Sequence, residues 1–287
     1  MRGTQDDNWA FWLTSTTTVV LLLITANPTR AQGKWYANGF IQYSFGDYTF
    51  GTNTNTLYFI PGILYESDYL DVSAALSVVS QNNNLVTRAG GMLLPHGGSG
   101  MSSPGMGGMG GSGGTSMMSG GMTSVGLGDT YLSGEYWLSK QALGKEIPSI
   151  SIGGQLKIPT ASTAGNFGTG KLDFGGTLNL KEQLGTYVVL ANVGYIILGK
   201  PAGVDFRNSF TYGGAVGKVF DDGNYSLALM YQGYTTILPG YAPPNGLMLG
   251  FNWKTNSTTL FTIAVSKGLT NTSSTFGITG GLKWELN

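Results

Sequence analysis

The sequence predicts an all-β protein, a transmembrane antiparallel up-and-down β-barrel of about twelve strands. Three observations carry the prediction. From Thr56 to the end of the chain, apolar and polar residues alternate with period two in short segments separated by turn residues. Period two means strand, because successive side chains leave a strand on opposite faces. Charged residues are only 10% of the chain, against roughly 25% in a soluble domain, while aromatic residues are 12% and glycines number 47. Finally, the connections between segments alternate between short and long.

The strands are expected near 35–48, 54–67, 69–82, 127–139, 147–159, 171–182, 185–198, 206–219, 223–236, 244–255, 258–268 and 274–286. The clearest runs from Leu247 to Lys254. There Leu247, Leu249, Phe251 and Trp253 share one face, and Met248, Gly250, Asn252 and Lys254 share the other. Short connections contain Glu66-Ser67-Asp68, Lys181-Glu182-Gln183-Leu184-Gly185, Asp221-Asp222-Gly223-Asn224 and Thr255-Asn256-Ser257. Asp-Gly and Gly-Asn pairs suit tight hairpins. Longer connections run from Thr160 to Gly170, Gly199 to Asp205, Thr235 to Asn245 and Lys267 to Ser274, and the one from Gln141 to Pro148 is of medium length. Short turns on one side and long loops on the other are the pattern of outer-membrane barrels, in which an even strand number puts both termini at the periplasmic end.

The faces agree with that geometry. Ile150, Ile152, Leu156 and Ile158 fall on one face of a strand, and Phe276, Ile278, Leu282, Trp284 and Leu286 on one face of the last. Tyr187, Val189, Val193 and Tyr195 repeat the pattern, as do Tyr225, Leu227, Leu229 and Tyr231. These are expected to meet lipid, with Tyr and Trp near strand ends in the interfacial girdles. The opposite faces carry Asp71, Asp129, Glu135, Lys157, Asp173, Lys181, Lys254, Lys283 and Glu285. A charge at the lipid midplane costs on the order of 2–4 kcal/mol, so these residues belong in the lumen, together with Tyr131.

Residues 1–31 read as an export signal, with Val19-Val20-Leu21-Leu22-Leu23-Ile24 as the apolar core and cleavage after Ala31, or alternatively after Ala26. Residues 32–287 are then the barrel. No run of 18 apolar residues follows the N-terminal region, which excludes the helical membrane class. A formal net charge of zero gives no sign of a nucleic-acid partner. Cysteine is absent, so disulfides, thiol catalysis and Cys metal sites are out of consideration. The expected partners are outer-membrane lipid, small-molecule solutes and the machinery that inserts barrels. That machinery commonly reads a C-terminal Phe; here Trp284 and Leu286 stand in Trp284-Glu285-Leu286-Asn287.

A Gly/Ser/Met-rich stretch, at about 83–125, is expected as a long external loop between the third and fourth strands. It reads first as a flexible insertion. Its methionines allow a second reading, because clustered thioethers are soft ligands that select Cu(I). His96, Met101, Met106, Met109, Met117 and Met118 are the candidate ligands. An adaptable surface for apolar solutes is a third. No cofactor is expected. Gly165 to Leu172 nearly matches a phosphate-binding loop, but Leu172 replaces the Ser or Thr that holds magnesium and a strand follows instead of a helix. No enzyme is expected either. The single His lies in the low-complexity loop, and Asp129 and Asp173, the candidates for a paired-carboxylate site, have a simpler role facing Lys157.

Three segments carry a resemblance. They are Gly126-Leu127-Gly128-Asp129-Thr130-Tyr131-Leu132-Ser133-Gly134-Glu135-Tyr136, then Gly154-Gln155-Leu156-Lys157-Ile158-Pro159-Thr160, then Gly168-Thr169-Gly170-Lys171-Leu172-Asp173-Phe174-Gly175. In order and spacing the chain resembles the outer-membrane family described as "MetA-pathway of phenol degradation", over about residues 54 to 287. Ala161 stands where the family's pattern has a Gly after Pro-Thr. The resemblance implies an outer-membrane barrel passing small hydrophobic or aromatic compounds. Physically, Gly126 and Gly128 let the chain re-enter the barrel, Pro159 ends a strand, and Gly168 and Gly170 turn a loop back before Asp173. The expectation is a passive channel with a narrow lumen that Tyr131, Trp137 and the charges largely occlude. The alternative is a closed barrel serving as a surface binding or structural protein, with Cu(I) capture by the Met-rich loop as one form of it.

Overall fold

The structure is a computed structural model that describes residues 33–49, 53–82, 86–89, 92–95, 124–140, 147–162, 167–201 and 204–286. Sixteen strands are present among them. They are β1 (Lys34–Gly46), β2 (Thr54–Glu66), β3 (Leu70–Ala75), β4 (Val78–Gln81), β5 (Val86–Ala89), β6 (Met92–Pro95), β7 (Ser124–Leu127) and β8 (Thr130–Ser139), then β9 (Ser149–Ile158), β10 (Asp173–Leu184), β11 (Tyr187–Ile197), β12 (Ser209–Phe220), β13 (Tyr225–Tyr234), β14 (Asn245–Lys254), β15 (Thr259–Gly268) and β16 (Phe276–Leu286). All but β5 and β6 join one antiparallel sheet, and β1 pairs with both β2 and β16, which closes it.

The wall has twelve staves, because two of them are each built from two strands. β3 and β4 run in line along β2 in one continuous register, Gly62 facing Ala75 and Phe59 facing Val78. β7 and β8 share the fourth stave. Between Ala75 and Val78 the third stave takes three steps, whereas its partners Tyr131 and Leu127 are four residues apart. The extra residue is a β-bulge at Gly128–Asp129, and it turns both residues toward the interior. From β9 to β16 each strand pairs with the next in simple hairpin succession.

The outer face is apolar over its full circumference. Ile63, Ile152, Val193, Val216, Leu229 and Ile263 are among the exposed large hydrophobics along it. In water such a surface would drive aggregation; in a bilayer it is the required contact. Aromatic residues mark its two rims. At the terminal rim, where β1 begins and β16 ends, Trp35 packs on Tyr65 and Trp253 lies between Tyr225 and Phe261. At the other, Tyr195 meets Phe210 edge-on and Tyr212 lies beside Tyr231. The shortest connections leave from the rim where β1 begins and β16 ends, together with the medium one between β8 and β9, and the longest leave from the opposite rim. Among the described residues no helix is long and apolar enough to cross a membrane.

Candidate functional site: the barrel lumen

The lumen is filled at its long-loop end by a hairpin. β5 and β6 pair only with each other, Val86 opposite Pro95 and Ala89 opposite Met92. The hairpin spans the interior from wall to wall. On one side Val86 and Leu93 pack with Tyr58, Ile60, Val79 and Phe167. On the other, Leu94 packs with Ile196, Leu198, Phe206, Tyr234 and Ile237. β13, which carries Tyr234, lies six staves from the β3–β4 stave and so directly opposite it in a ring of twelve. Polar contacts fix the hairpin. Arg88 donates from Nη1 to Gln42 Oε1 at 3.1 Å and lies 5.9 Å from the Tyr131 ring centre. The Tyr131 hydroxyl donates to the Arg88 carbonyl at 3.3 Å, and Gln81 Nε2 donates to the Val86 carbonyl at 3.2 Å. Outside the spanning strands, Tyr48 is fully buried in the same cluster, and burial raises its phenol well above the ordinary range. The stretch expected as an external loop at 83–125 therefore begins, in its described part, inside the barrel.

Beside the hairpin sits a buried ion cluster assembled from the three resembling segments. Lys157 Nζ lies 2.6 Å from Asp173 Oδ2 and 3.5 Å from Asp129 Oδ2, and it donates to Thr169 Oγ1 at 2.9 Å. All three charged side chains are nearly inaccessible, at 1–4%. Backbone amides complete the set: Ala161 N–H donates to Asp129 Oδ1 at 3.2 Å and Gly199 N–H to Asp173 Oδ1 at 2.8 Å. The bulge aims Asp129 at this point. A side chain at Gly128 would put Cβ 2.3 Å from Ser77 Oγ, and one at Gly168 would put it 2.8 Å from the Asp129 carboxylate. These positions are glycine because nothing larger fits. The cluster ties the chain between β9 and β10, and the start of that between β11 and β12, to the inner wall.

Further down, the lumen has two unlike sides. On β3 and β8–β10, Glu135 accepts hydrogen bonds from Ser151 and from Asn179 Nδ2, the latter at 3.0 Å. Trp137 Nε1 donates to Asp71 Oδ2 at 2.7 Å, and Lys140 lies 5.0 Å over the Trp137 ring. On β11–β14 the same depth is apolar: Val188, Leu190, Ala215, Ala228 and Met230 form a cluster with Val219 and Met248 against it. At the terminal rim Lys283 pairs with Glu66 and lies 3.9 Å from the Tyr36 ring centre, and Lys34 pairs with Glu285 at 3.1 Å. Lys181 and Lys254 are half-buried.

Of the predicted lumen residues, Asp129, Lys157 and Asp173 form one cluster, Glu135 a second, Asp71 a third, and Lys283 and Glu285 separate pairs. Tyr131 meets the hairpin. His96, Met101, Met106, Met109, Met117 and Met118 lie outside the described residues. Among the described residues no group of three His, Cys, Asp or Glu side chains is placed to hold a metal. Sequence reasoning missed Gln42, Arg88, Leu93 and Leu94. A signal for them existed: Val86 to Pro95 brackets Gly90-Gly91, a tight-turn pair between two short apolar runs.

A twelve-stave antiparallel barrel with an apolar exterior, its outward charges Glu182, Lys218 and Lys267 lying only near strand ends, is an outer-membrane β-barrel. Over residues 70–286 the chain matches the family described as "MetA-pathway of phenol degradation", and it belongs to that family. Its fold is like that of an outer membrane channel from Pseudomonas putida F1, at 12% identity and a TM-score of 0.62, with 88% of this chain and 96% of that one covered. The KdgM porin is more distant, with 9% identity and a TM-score of 0.48 over 87% of this chain and 99% of that one. So is the CymD monoaromatic hydrocarbon channel, with 10% identity and a TM-score of 0.42 over 88% of each chain. No curated protein sequence matches the chain.

Proposed function

We propose that this protein is a passive outer-membrane channel for small hydrophobic or aromatic solutes. One observation carries the reading: the hairpin of β5 and β6 fills the long-loop end of the lumen with apolar side chains packed on both walls. A general diffusion pore for hydrated solutes needs a continuous aqueous path, and porins obtain one with sixteen to eighteen staves. Here twelve staves and an inward hairpin leave contacts that an apolar solute can replace and a hydrated ion cannot. Below the hairpin, and separated from it by Asn192 and Gln232, the apolar cluster on β11–β14 offers a second such surface, facing the hydrogen-bonding groups of Glu135, Ser151 and Asn179. Membership of the family supports the same solute class. No energy-coupling site is assigned, so movement runs down the gradient. The carboxylates of Asp129 and Asp173 are both engaged by Lys157, which speaks for a structural role rather than acid–base catalysis.

The test is initial-rate uptake of radiolabelled toluene by cells with a low-permeability outer membrane, with and without this barrel. Faster uptake with the barrel is the expected result, alongside little or no acceleration for a hydrophilic sugar of similar size. Equal acceleration of both would make it a general pore, and acceleration of neither would remove the transport reading.

A further inference from the structure

We propose that Arg88 is a recognition point in the lumen for the carboxylate of an apolar monocarboxylic acid, an aromatic acid being the simplest case. The proposal rests on the transport reading above and narrows its solute class.

Arg88 stands on the face of the hairpin that also carries Val86 and Leu93, since Arg88 is opposite Leu93 and Val86 is two residues away on the same strand. It is half-buried. Among the described residues no carboxylate lies within ion-pair distance of it, although the lumen holds several. Asp129 and Asp173 are both held by Lys157, and Glu66 by Lys283. A cation drawn out of bulk water is ordinarily paired. The guanidinium has five N–H donors, and a single protein acceptor meets them, Gln42 Oε1 at 3.1 Å from Nη1. Nε and Nη2 make no hydrogen bond to the described residues, and neither is sealed from the lumen. What remains open is a planar fork, the shape that takes a carboxylate through two parallel hydrogen bonds.

The fork is aimed by the wall. Gln42 holds one edge of it, and the Tyr131 hydroxyl donates to the Arg88 carbonyl at 3.3 Å with its ring centre 5.9 Å from the guanidinium carbon. The apolar part of a solute has a surface beside it. On the inner face of β1, Phe40 is the next position from Gln42 toward the terminal rim, about 7 Å along the strand. Phe40 is half-buried and packs against the hairpin cluster on one side and against Tyr36 and Leu64 on the other. A hydrocarbon would use such contacts and leave the guanidinium bare. An acid with an apolar body uses them and supplies the missing anion. One negative group is enough, because Lys157 and Lys283 already hold carboxylates.

The test does not depend on transport. Ring-labelled benzoate and benzyl alcohol, an uncharged probe of similar size, are equilibrated at neutral pH with folded native barrel in non-ionic detergent. Bound probe is measured by equilibrium dialysis. Native barrel is expected to bind benzoate saturably and at least about tenfold more tightly than benzyl alcohol, the difference a charge-assisted hydrogen bond makes. Arg88→Met, checked for folded gel migration, is expected to abolish that difference and to keep native toluene uptake. Equal binding of the two probes by native barrel overturns the proposal without any variant. Benzoate binding by Arg88→Met equal to native also overturns it, and either result leaves the channel reading standing. Loss of toluene uptake together with benzoate binding in Arg88→Met would make Arg88 a strut of the hairpin, and so overturns it too. Benzoate binding that depends on Arg88, in a barrel that speeds neither benzoate nor toluene, supports the site and removes the transport reading instead.

Discussion

The wall from β9 to β16 and the wall from β2 to β8 are made of the same kinds of residue and behave differently. In the first, each strand is continuous and hydrogen-bonded to its sequence neighbours, and its inner face carries small, modest groups such as Ala215, Ala228 and Asn252. In the second, a central proline, a broken stave, a bulge and an inward hairpin fall within a few residues of one another. Regular strands satisfy the lipid with no help from the loops. The irregular ones hold the hairpin that closes the lumen, and the ion cluster joins the two halves, Asp129 at the bulge meeting Lys157 of β9 and Asp173 of β10. The regular half is a container and the irregular half carries its stopper.

The difference can be broken most severely at the ion cluster. Lys157→Met leaves Asp129 and Asp173 buried with no cation, and removing one partner of a buried pair costs about 3–5 kcal/mol. Urea unfolding in detergent, followed by the shift from folded to unfolded gel mobility, reads the loss; stability within error of native would mean water reaches the cluster. The next largest effect falls on the regular half. Leu229→Arg places a charge midway along the outer face of β13 and is expected to destabilise by about 2–4 kcal/mol, measured by the same transition. An unchanged midpoint would mean that position lies outside the hydrocarbon core.

Two smaller changes sharpen the contrast. Asn252 accepts from Thr262 Oγ1 at 2.7 Å and donates to Ser226 Oγ at 3.1 Å on the inner face of β13–β15. Asn252→Ala leaves those hydroxyls without partners and costs about 1–3 kcal/mol of barrel stability. Leu94→Ala, although it truncates a fully buried side chain, is expected to move the unfolding transition by less than about 1 kcal/mol, because a hairpin whose strands pair only with each other and that meets the wall through side chains opens locally before the barrel does. Its effect appears instead as brief conductance bursts in a planar bilayer. A large drop in barrel stability from Leu94→Ala would place the hairpin in the same cooperative unit as the wall.

The staves were legible in the sequence because lipid outside and water or polar groups inside impose strict alternation, and a one-residue slip would expose Lys157 or Glu135 to hydrocarbon. Strand ends agreed closely with the short turns, where residues such as Asp221 and Asp222 adopt the positive φ that tight hairpins require. The ion cluster was legible only in part. Asp129, Lys157 and Asp173 stood out as inward charges, but the amides of Ala161 and Gly199 that hold the two carboxylates belong to loops, and any residue supplies an N–H. The bulge hid in the register: Gly126-Leu127-Gly128-Asp129 reads as a plain strand start until the pairing of Ala75 with Tyr131 and of Val78 with Leu127 reveals the extra residue. The hairpin escaped because it packs on the lumen wall through both strands, so its apolar pattern is not the alternation of a lipid-facing stave, and a glycine-rich run follows it directly. Proline at position 61 was visible throughout, yet its meaning depends on knowing that β2 is paired on both edges.

The central claim is that the hairpin, and not the width of the barrel, sets what passes. Single-channel recording in a planar bilayer tests it, comparing the native protein with a variant in which residues 86–95 are replaced by a Gly/Ser segment of equal length. The account predicts little or no steady conductance from native barrel and steady ohmic steps from the variant, both proteins migrating as folded barrels. Equal steady steps from the two would show an aqueous path that bypasses the hairpin, and would contradict the account.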